Sequence, residues 1–289
     1  MTTPRAFLVT VALTWLFAAR TEGQVPSGPD TVVVPSGALR LRALLWRPEG
    51  RGPFPAVLFN HGSGHGVLAP SGDHYEHTME WQAEVLGPVF ARHGYVYLYP
   101  LRRGTGLSAA ARINSSDRWD SALAANGEEA RNRLQLQLLE TVELDDALAG
   151  LAFLRTLPDV DTSRIAVAGH SFGGSLTVLV AEHDSGLRAA VVFSGSAKSW
   201  PRSRSLRERL LQAAARLAVP VFFISAANDF SVAPEEALAD EMSRRGKPYR
   251  LKIYPPVGNT AQEGHGFVHL RVATWESDVF SFLDERLRR

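Results

Sequence analysis

Cysteine is absent from the 289 residues, and its absence excludes disulfide scaffolds, thiolate metal centres and a cysteine nucleophile together. An excess of charge of either sign is lacking too. With 31 basic and 30 acidic side chains the net charge is +1, so nothing in the balance points to nucleic acid or a strongly charged surface as partner. No apolar run is long enough to cross a bilayer comfortably. The most apolar stretch, Ala6 to Ala19, is short and is flanked by Arg5 and Arg20. A phosphate-cradling loop is also missing, because Gly104-Thr105-Gly106 lacks the lysine and the helix that such a loop needs.

What is present is enough apolar material, 45% of residues, for one large α/β domain with a well-buried core. The short run at the start fits the apolar region of a signal peptide, and Thr21-Glu22-Gly23 offers small residues for cleavage after Gly23. The expectation is a signal peptide over residues 1–23, a single domain over 24–289 and a secreted or periplasmic protein with no stable membrane anchor after cleavage. An uncleaved anchor or a disordered leader is the alternative. No internal repeat is visible.

Apolar runs and turn signals then alternate along the chain. Thr31–Val34 and Leu39–Trp46 read as strands joined by Pro35-Ser36-Gly37. Ala56–Phe59 is continuously apolar, as a strand covered on both faces would be. A helix over about Tyr75–His93 and a strand over Tyr95–Tyr99 follow. Residues 105–133 are polar, charged and weakly periodic, which predicts a functional excursion or a mobile loop near the active site. Gln135–Leu157 reads as one long amphipathic helix. The strand Arg164–Ala168 comes next, followed by strands at Ala189–Phe193, Val221–Ile224 and Tyr249–Tyr254. These last three alternate with helices at Leu206–Leu217, Pro234–Arg245 and Val272–Leu287. Such alternation predicts an α/β fold with a mainly parallel central sheet and helices on both faces.

Between the strand Arg164–Ala168 and the apolar stretch from Gly174 lies Gly169-His170-Ser171-Phe172-Gly173. The G-x-S-x-G pattern alone is weak, and its bland reading is a glycine-rich turn. In the order strand, pattern, helix it describes a nucleophile elbow, a turn so tight that the serine takes a strained conformation and is presented at the strand's carboxyl end. Catalytic groups in such sheets gather beyond the strand carboxyl ends. Asp229 follows the strand Val221–Ile224, and His265 lies on a glycine-flanked loop after the last strand. The histidine would accept the serine proton and the aspartate would orient the ring. A surface turn is the other reading of Asp229, and His269 is the competitor of His265. The order Ser171, Asp229, His265 is the one this architecture expects. Its oxyanion site needs two backbone N–H donors: that of Phe172, after the nucleophile, and one from His61-Gly62-Ser63-Gly64, for which Ser63 is chosen.

These pieces resemble a serine α/β-hydrolase of the dienelactone-hydrolase-like group, which is close to prolyl-oligopeptidase catalytic domains. The resemblance rests on His61-Gly62, Arg103-Gly104-Thr105-Gly106 with Ser108, Gly169–Gly173, Asn228-Asp229 with Val232 and Pro234, and His265. Dienelactone hydrolases proper use a cysteine nucleophile where this chain has serine, and the large propeller of the oligopeptidases has no room here. The expected activity is hydrolysis of a small carboxylic ester through an acyl-enzyme, without cofactor or metal. His74 and His77, near His61 and His65 in sequence, lack a third ligand in register. A small peptidase or amidase is the alternative within the superfamily, and a non-catalytic binding protein on the same fold is the alternative outside it. Arg102 and Arg103 either orient the 105–133 excursion or form structural ion pairs. Trp81, Trp119 and Trp200 either line a site or pack.

Overall fold

The structure, a computed structural model, describes residues 28–64, 78–111 and 114–288. The expected signal peptide and the histidines His65, His74 and His77 lie outside the described residues. Eight strands form one sheet: β1 (Asp30–Ser36), β2 (Leu39–Trp46), β3 (Phe54–Asn60), β4 (Val96–Pro100), β5 (Val160–His170), β6 (Ala189–Phe193), β7 (Val221–Ala226) and β8 (Tyr249–Tyr254). Their order across the sheet is β1-β2-β4-β3-β5-β6-β7-β8. The β1–β2 and β2–β4 pairs are antiparallel, and the pairs from β4 to β8 are parallel.

The central strands are apolar without alternation because both of their faces are covered. Ala56 and Leu58 of β3 face one core and Val57 and Phe59 the other. Helices α1 (Met79–Arg92) and α9 (Val272–Leu287) close one side with Leu86, Phe90, Trp275 and Val279. On the other side lie α3 (Leu144–Leu154), α4 (Phe172–His183), α5 (Arg204–Arg216) and α6 (Ala233–Arg244), which bury Leu151, Leu176, Leu210 and Leu238. Local signals set the helix starts. Thr78 caps α1 by accepting from Trp81 N, Ser203 caps α5 by accepting from Leu206 N, and Pro234 sits in the first turn of α6.

The 105–133 stretch departs most from expectation, since it is largely helical. A 3-10 turn over Gly106–Ala111 precedes α2 (Ser115–Leu138), which is broken at Gly127, where φ is +78°. A π turn over Leu139–Glu143 then joins α2 to α3. The expected helix Gln135–Leu157 is only the later part of this run. The earlier part shows little apolar periodicity because it buries polar side chains, Ser115, Ser116, Asn132 and Gln135, together with Trp119 and Leu138. Two short helices, α7 (Ala261–His265) and α8 (Phe267–Leu270), occupy what reads in sequence as a loop. His265 is therefore the last residue of a one-turn helix held by a Thr260–Glu263 capping box.

One buried ion pair ties three of these parts together. Asp146 of α3 accepts from Ser36 Oγ at 2.7 Å, and from Arg103 N, Nε and Nη2 at 3.0, 2.8 and 2.6 Å. The carboxylate is wholly buried, so removing it leaves the Arg103 charge and the Ser36 hydroxyl without a partner. Asp146→Ala is expected to destabilise the fold by about 3 kcal/mol, read as a lower midpoint in urea denaturation.

Candidate active site

Ser171 stands between β5 and α4 with φ 58° and ψ −120°, a strained conformation for a residue with a side chain. Two glycines make the turn possible. A Cβ on Gly169 would come within 2.3 Å of Gly173 O, and one on Gly173 within 2.0 Å of Asn60 O and 2.3 Å of His61 O. The elbow is thus pressed against the end of β3. Ser171 N donates to Phe193 O at 2.9 Å, which fixes the turn to β6 as well.

The expected partners reach Ser171 from two other strand ends. His265 Nε2 lies 2.8 Å from Ser171 Oγ, and His265 Nδ1 lies 2.8 Å from Asp229 Oδ1. Asp229 also accepts from Phe230 N at 2.6 Å and from Ser225 Oγ at 2.9 Å. Burial pushes the Asp229 carboxyl up, but hydrogen bonds from His265, Ser194 and Ser225 and the adjacent imidazole outweigh it and hold the group below its ordinary value. It is the kind of acceptor that fixes Nδ1 as the protonated nitrogen and leaves Nε2 free to take a proton from the serine. Asn228 brings the two loops together: it donates to Val257 O and Thr260 O and accepts from Val257 N. Gly264 packs so closely on Asn228 that a Cβ would come within 2.6 Å of its side chain.

The loop after β3 is held by a buried cation. Arg102 Nη2 donates to His61 O at 2.9 Å and to Gly62 O at 3.1 Å, while Arg102 Nε pairs with Glu143. Glu143 also accepts from Ser115 Oγ at 2.5 Å. Because the Gly62 carbonyl turns onto Arg102, the trans peptide aims the Ser63 N–H the other way. Ser63 N–H meets no acceptor among the described residues. Phe172 N–H opens α4, where no intrahelical acceptor exists. Ser63 and Phe172 line one small hollow with Arg102, Thr105 and Trp119. Trp119 of α2 lies 5.1 Å from the Phe172 ring, so the helical excursion covers this side of the serine. Arg102 and Arg103 both form ion pairs, and Arg102 does so while gripping the loop beside the elbow. An open cleft lined by Leu39, Arg118, Val142 and Leu148 among others does not include Ser171, Asp229 or His265. Concavity alone carries less weight here than the hydrogen-bonded chain.

Sequence reasoning did not anticipate that His170 and His269 are buried beside this hydrogen-bonded chain. His170 Nε2 donates to His265 O at 2.8 Å, and the His170 and His269 rings meet edge-on at 5.3 Å. His269 is therefore a neighbour of the chain and makes no hydrogen bond to Ser171. His61 accepts from Arg102 N at 3.1 Å, and no cluster of metal-ligating side chains is found among the described residues. Burial, with the charge of Arg102 beside it, keeps His61 well below its ordinary value. Burial and the neighbouring His265 lower His170 to about 3, and burial, with His170 and His265 beside it, keeps His269 well below its ordinary value.

Each of these three histidines folds neutral and is protonated more readily when unfolded. Stability is therefore intact above the unfolded value of 6.5 and is lost as pH falls below it, towards about 3 for His170. The loss runs at about 1.4 kcal/mol per pH unit for each group. The melting temperature is expected to drop between pH 7.5 and pH 5, and His170→Gln should reduce that slope by one group's share.

Comparison with known proteins agrees with this architecture. Residues 42–277 match the dienelactone hydrolase family. A dienelactone hydrolase from Anabaena variabilis superposes with a TM-score of 0.55 at 18% identity, over 91% of this chain and 97% of that one. The acylaminoacyl peptidase of Pyrococcus horikoshii superposes with a TM-score of 0.65 at 16% identity, over 93% of this chain and 43% of that one. Mouse acyl-coenzyme A thioesterase 1 is 26% identical over 183 residues, which is 63% of this chain. The chain spans about a third of that relative's length, 34%. At these identities the two structures share the fold, and the family match covers most of the sequence. The chain belongs to the dienelactone hydrolase family, on the serine α/β-hydrolase fold.

Proposed function

We propose that this protein hydrolyses carboxylic esters through a covalent acyl-enzyme on Ser171. The observation that carries the reading is the continuous chain Ser171 Oγ, His265, Asp229, with 2.8 Å at each step. Ser171 Oγ attacks the acyl carbon and His265 Nε2 takes its proton. The N–H groups of Ser63 and Phe172 hold the oxygen that becomes negative, and His265 returns the proton to the leaving alcohol. Water then repeats the sequence on the acyl-enzyme, and no cofactor is needed. Arg102 is a positioning residue in this scheme, because it keeps the 61–64 loop turned so that its amides remain free.

The first test is a fluorophosphonate probe with the adduct located by peptide mass spectrometry. Labelling of Ser171 that disappears on heat unfolding is expected, whereas a folded, unlabelled protein would favour the binding-protein reading. Ser171→Ala should lower kcat/KM for a reactive ester by about four orders of magnitude or more and leave the fold intact. A panel of matched esters and amides separates an esterase from a small peptidase, since amide cleavage demands fuller protonation of the leaving group.

The loop anchor has its own test. Arg102→Met combined with Glu143→Leu removes both buried charges and leaves neither stranded. The double variant is expected to lose about tenfold or more in kcat with little change in KM, since it loosens transition-state donors while leaving substrate contacts in place. An unchanged kcat would remove Arg102 from the scheme.

A further inference from the structure

The loop between β6 and α5 brings a cation to the histidine side of the chain. Ser196 N donates to Ser171 O at 3.3 Å, and Ser199 N and Trp200 N both fold back onto Ser196 O at 2.8 Å. The turn carrying Lys198 is thereby built on the nucleophile's own backbone. The Lys198 ammonium sits 4.3 Å from the centre of the Phe230 ring, and that ring packs edge-on against His265 at 5.4 Å. Gln262, three residues before His265, accepts from Lys198 Nζ at 3.2 Å. Three separate segments thus fix one positive charge a single aromatic ring away from the catalytic base.

This lysine is unusual in the chain. The sequence contains 31 basic residues, of which only Lys198, Lys247 and Lys252 are lysines. Lys247 donates to Leu217 O and Lys252 pairs with Asp278. Lys198 has a neutral amide and a ring face as partners, and no carboxylate within ion-pair distance among the described residues. Burial lowers its ammonium below the ordinary value. The more distant Asp229 pulls the other way, and the nearby Arg202 adds repulsion. Phe230 itself is 42% exposed, a large apolar surface left open beside the base.

The side on which the cation stands has a meaning in the proposed chemistry. His265 Nε2 delivers its proton to the departing oxygen, so the leaving group must lie against the His265 face, across the serine from the Ser63 and Phe172 amides. Phe230 and Lys198 border that face. We propose that Lys198, on its Phe230 platform, recognises an anionic carboxylate or phosphate group carried by the leaving-group half of the substrate. This rests on the esterase reading. In the step concerned, the bond from Ser171 Oγ to the acyl carbon forms, the bond from that carbon to the leaving oxygen breaks, and the serine proton passes through His265 to the leaving oxygen. The anionic group takes no part in bond changes and contributes only to binding and orientation.

The test uses the full chain and three acetyl esters: 4-acetoxybenzoate, its neutral isostere 4-acetoxybenzamide, and 4-acetoxyphenyl phosphate. Wild type, Lys198→Met and Lys198→Glu are compared by the ratio of kcat/KM for each anionic ester to that for the amide. The ratio is expected to fall by about three- to fivefold in Lys198→Met, the scale of a half-exposed ion pair, and further in Lys198→Glu. In wild type it should shrink as salt is raised. A larger fall for the phosphate ester identifies phosphate as the recognised group, and a larger fall for the benzoate identifies carboxylate. Equal losses on charged and neutral esters would mean that the lysine only supports the loop, and would overturn the proposal, as would ratios that do not differ among the three proteins. Fluorophosphonate labelling of Ser171 accompanies each assay. A wild-type protein that is neither labelled nor active on any of the three esters would bring down the esterase reading itself, and this inference with it.

Discussion

Gly173 sits where a methyl group would come to 2.0 Å from Asn60 O and 2.3 Å from His61 O. This close approach fixes α4 against the end of β3, and the rest of the site is referenced to it. It forces the turn that strains Ser171, and it brings that residue next to the 61–64 loop. The same His61 carbonyl that faces Gly173 also accepts from Arg102, which pairs with Glu143, which in turn accepts from Ser115. A missing side chain at one position is thus the first link in a chain of polar contacts that runs out to α2.

The electrostatic design is asymmetric. His170, His265 and His269 cluster beside the serine and His61 lies in the adjoining loop, yet of these four only His265 has a carboxylate against its ring. The other three are buried and kept neutral. In the proposed acyl transfer, a positive charge therefore has one favourable place to reside. His170 adds direction to this, since its Nε2–H holds the carbonyl of His265 and so fixes the short helix on which the ring is mounted.

Much of this was legible in the sequence because it depends on order and local pattern. A strand, a G-x-S-x-G turn and a helix specify an elbow by sterics alone, and Asp229 and His265 follow from their places after later apolar runs. What was not legible depends on contacts between distant polar residues. Arg102 and Glu143 are 41 positions apart, and neither carries a local signal of pairing. The helix α2 was hidden for a related reason. Its inner face is made of Ser115, Ser116, Asn132 and Gln135, which bond to neighbours such as Arg202 O and Ser199 Oγ, so the apolar stripe that marks a helix is thin. The one-turn helix at His265 escaped because five residues give too few turns for any period to appear.

The π turn over Leu139–Glu143 gives that hidden run a further property. A π turn holds one residue more than the α-helical turn it replaces, so it advances the phase of all that follows by about 100°. In this chain the extra residue lets Glu143 face inward to Arg102 while Leu144, Ala147 and Leu151 of α3 still face the sheet. The two faces meet where the π turn runs into α3. Through Arg102, the 61–64 loop is thereby joined to the end of this π turn. A one-residue change of helical phase thus bears on a loop that lies beside Ser171 but belongs to another part of the chain.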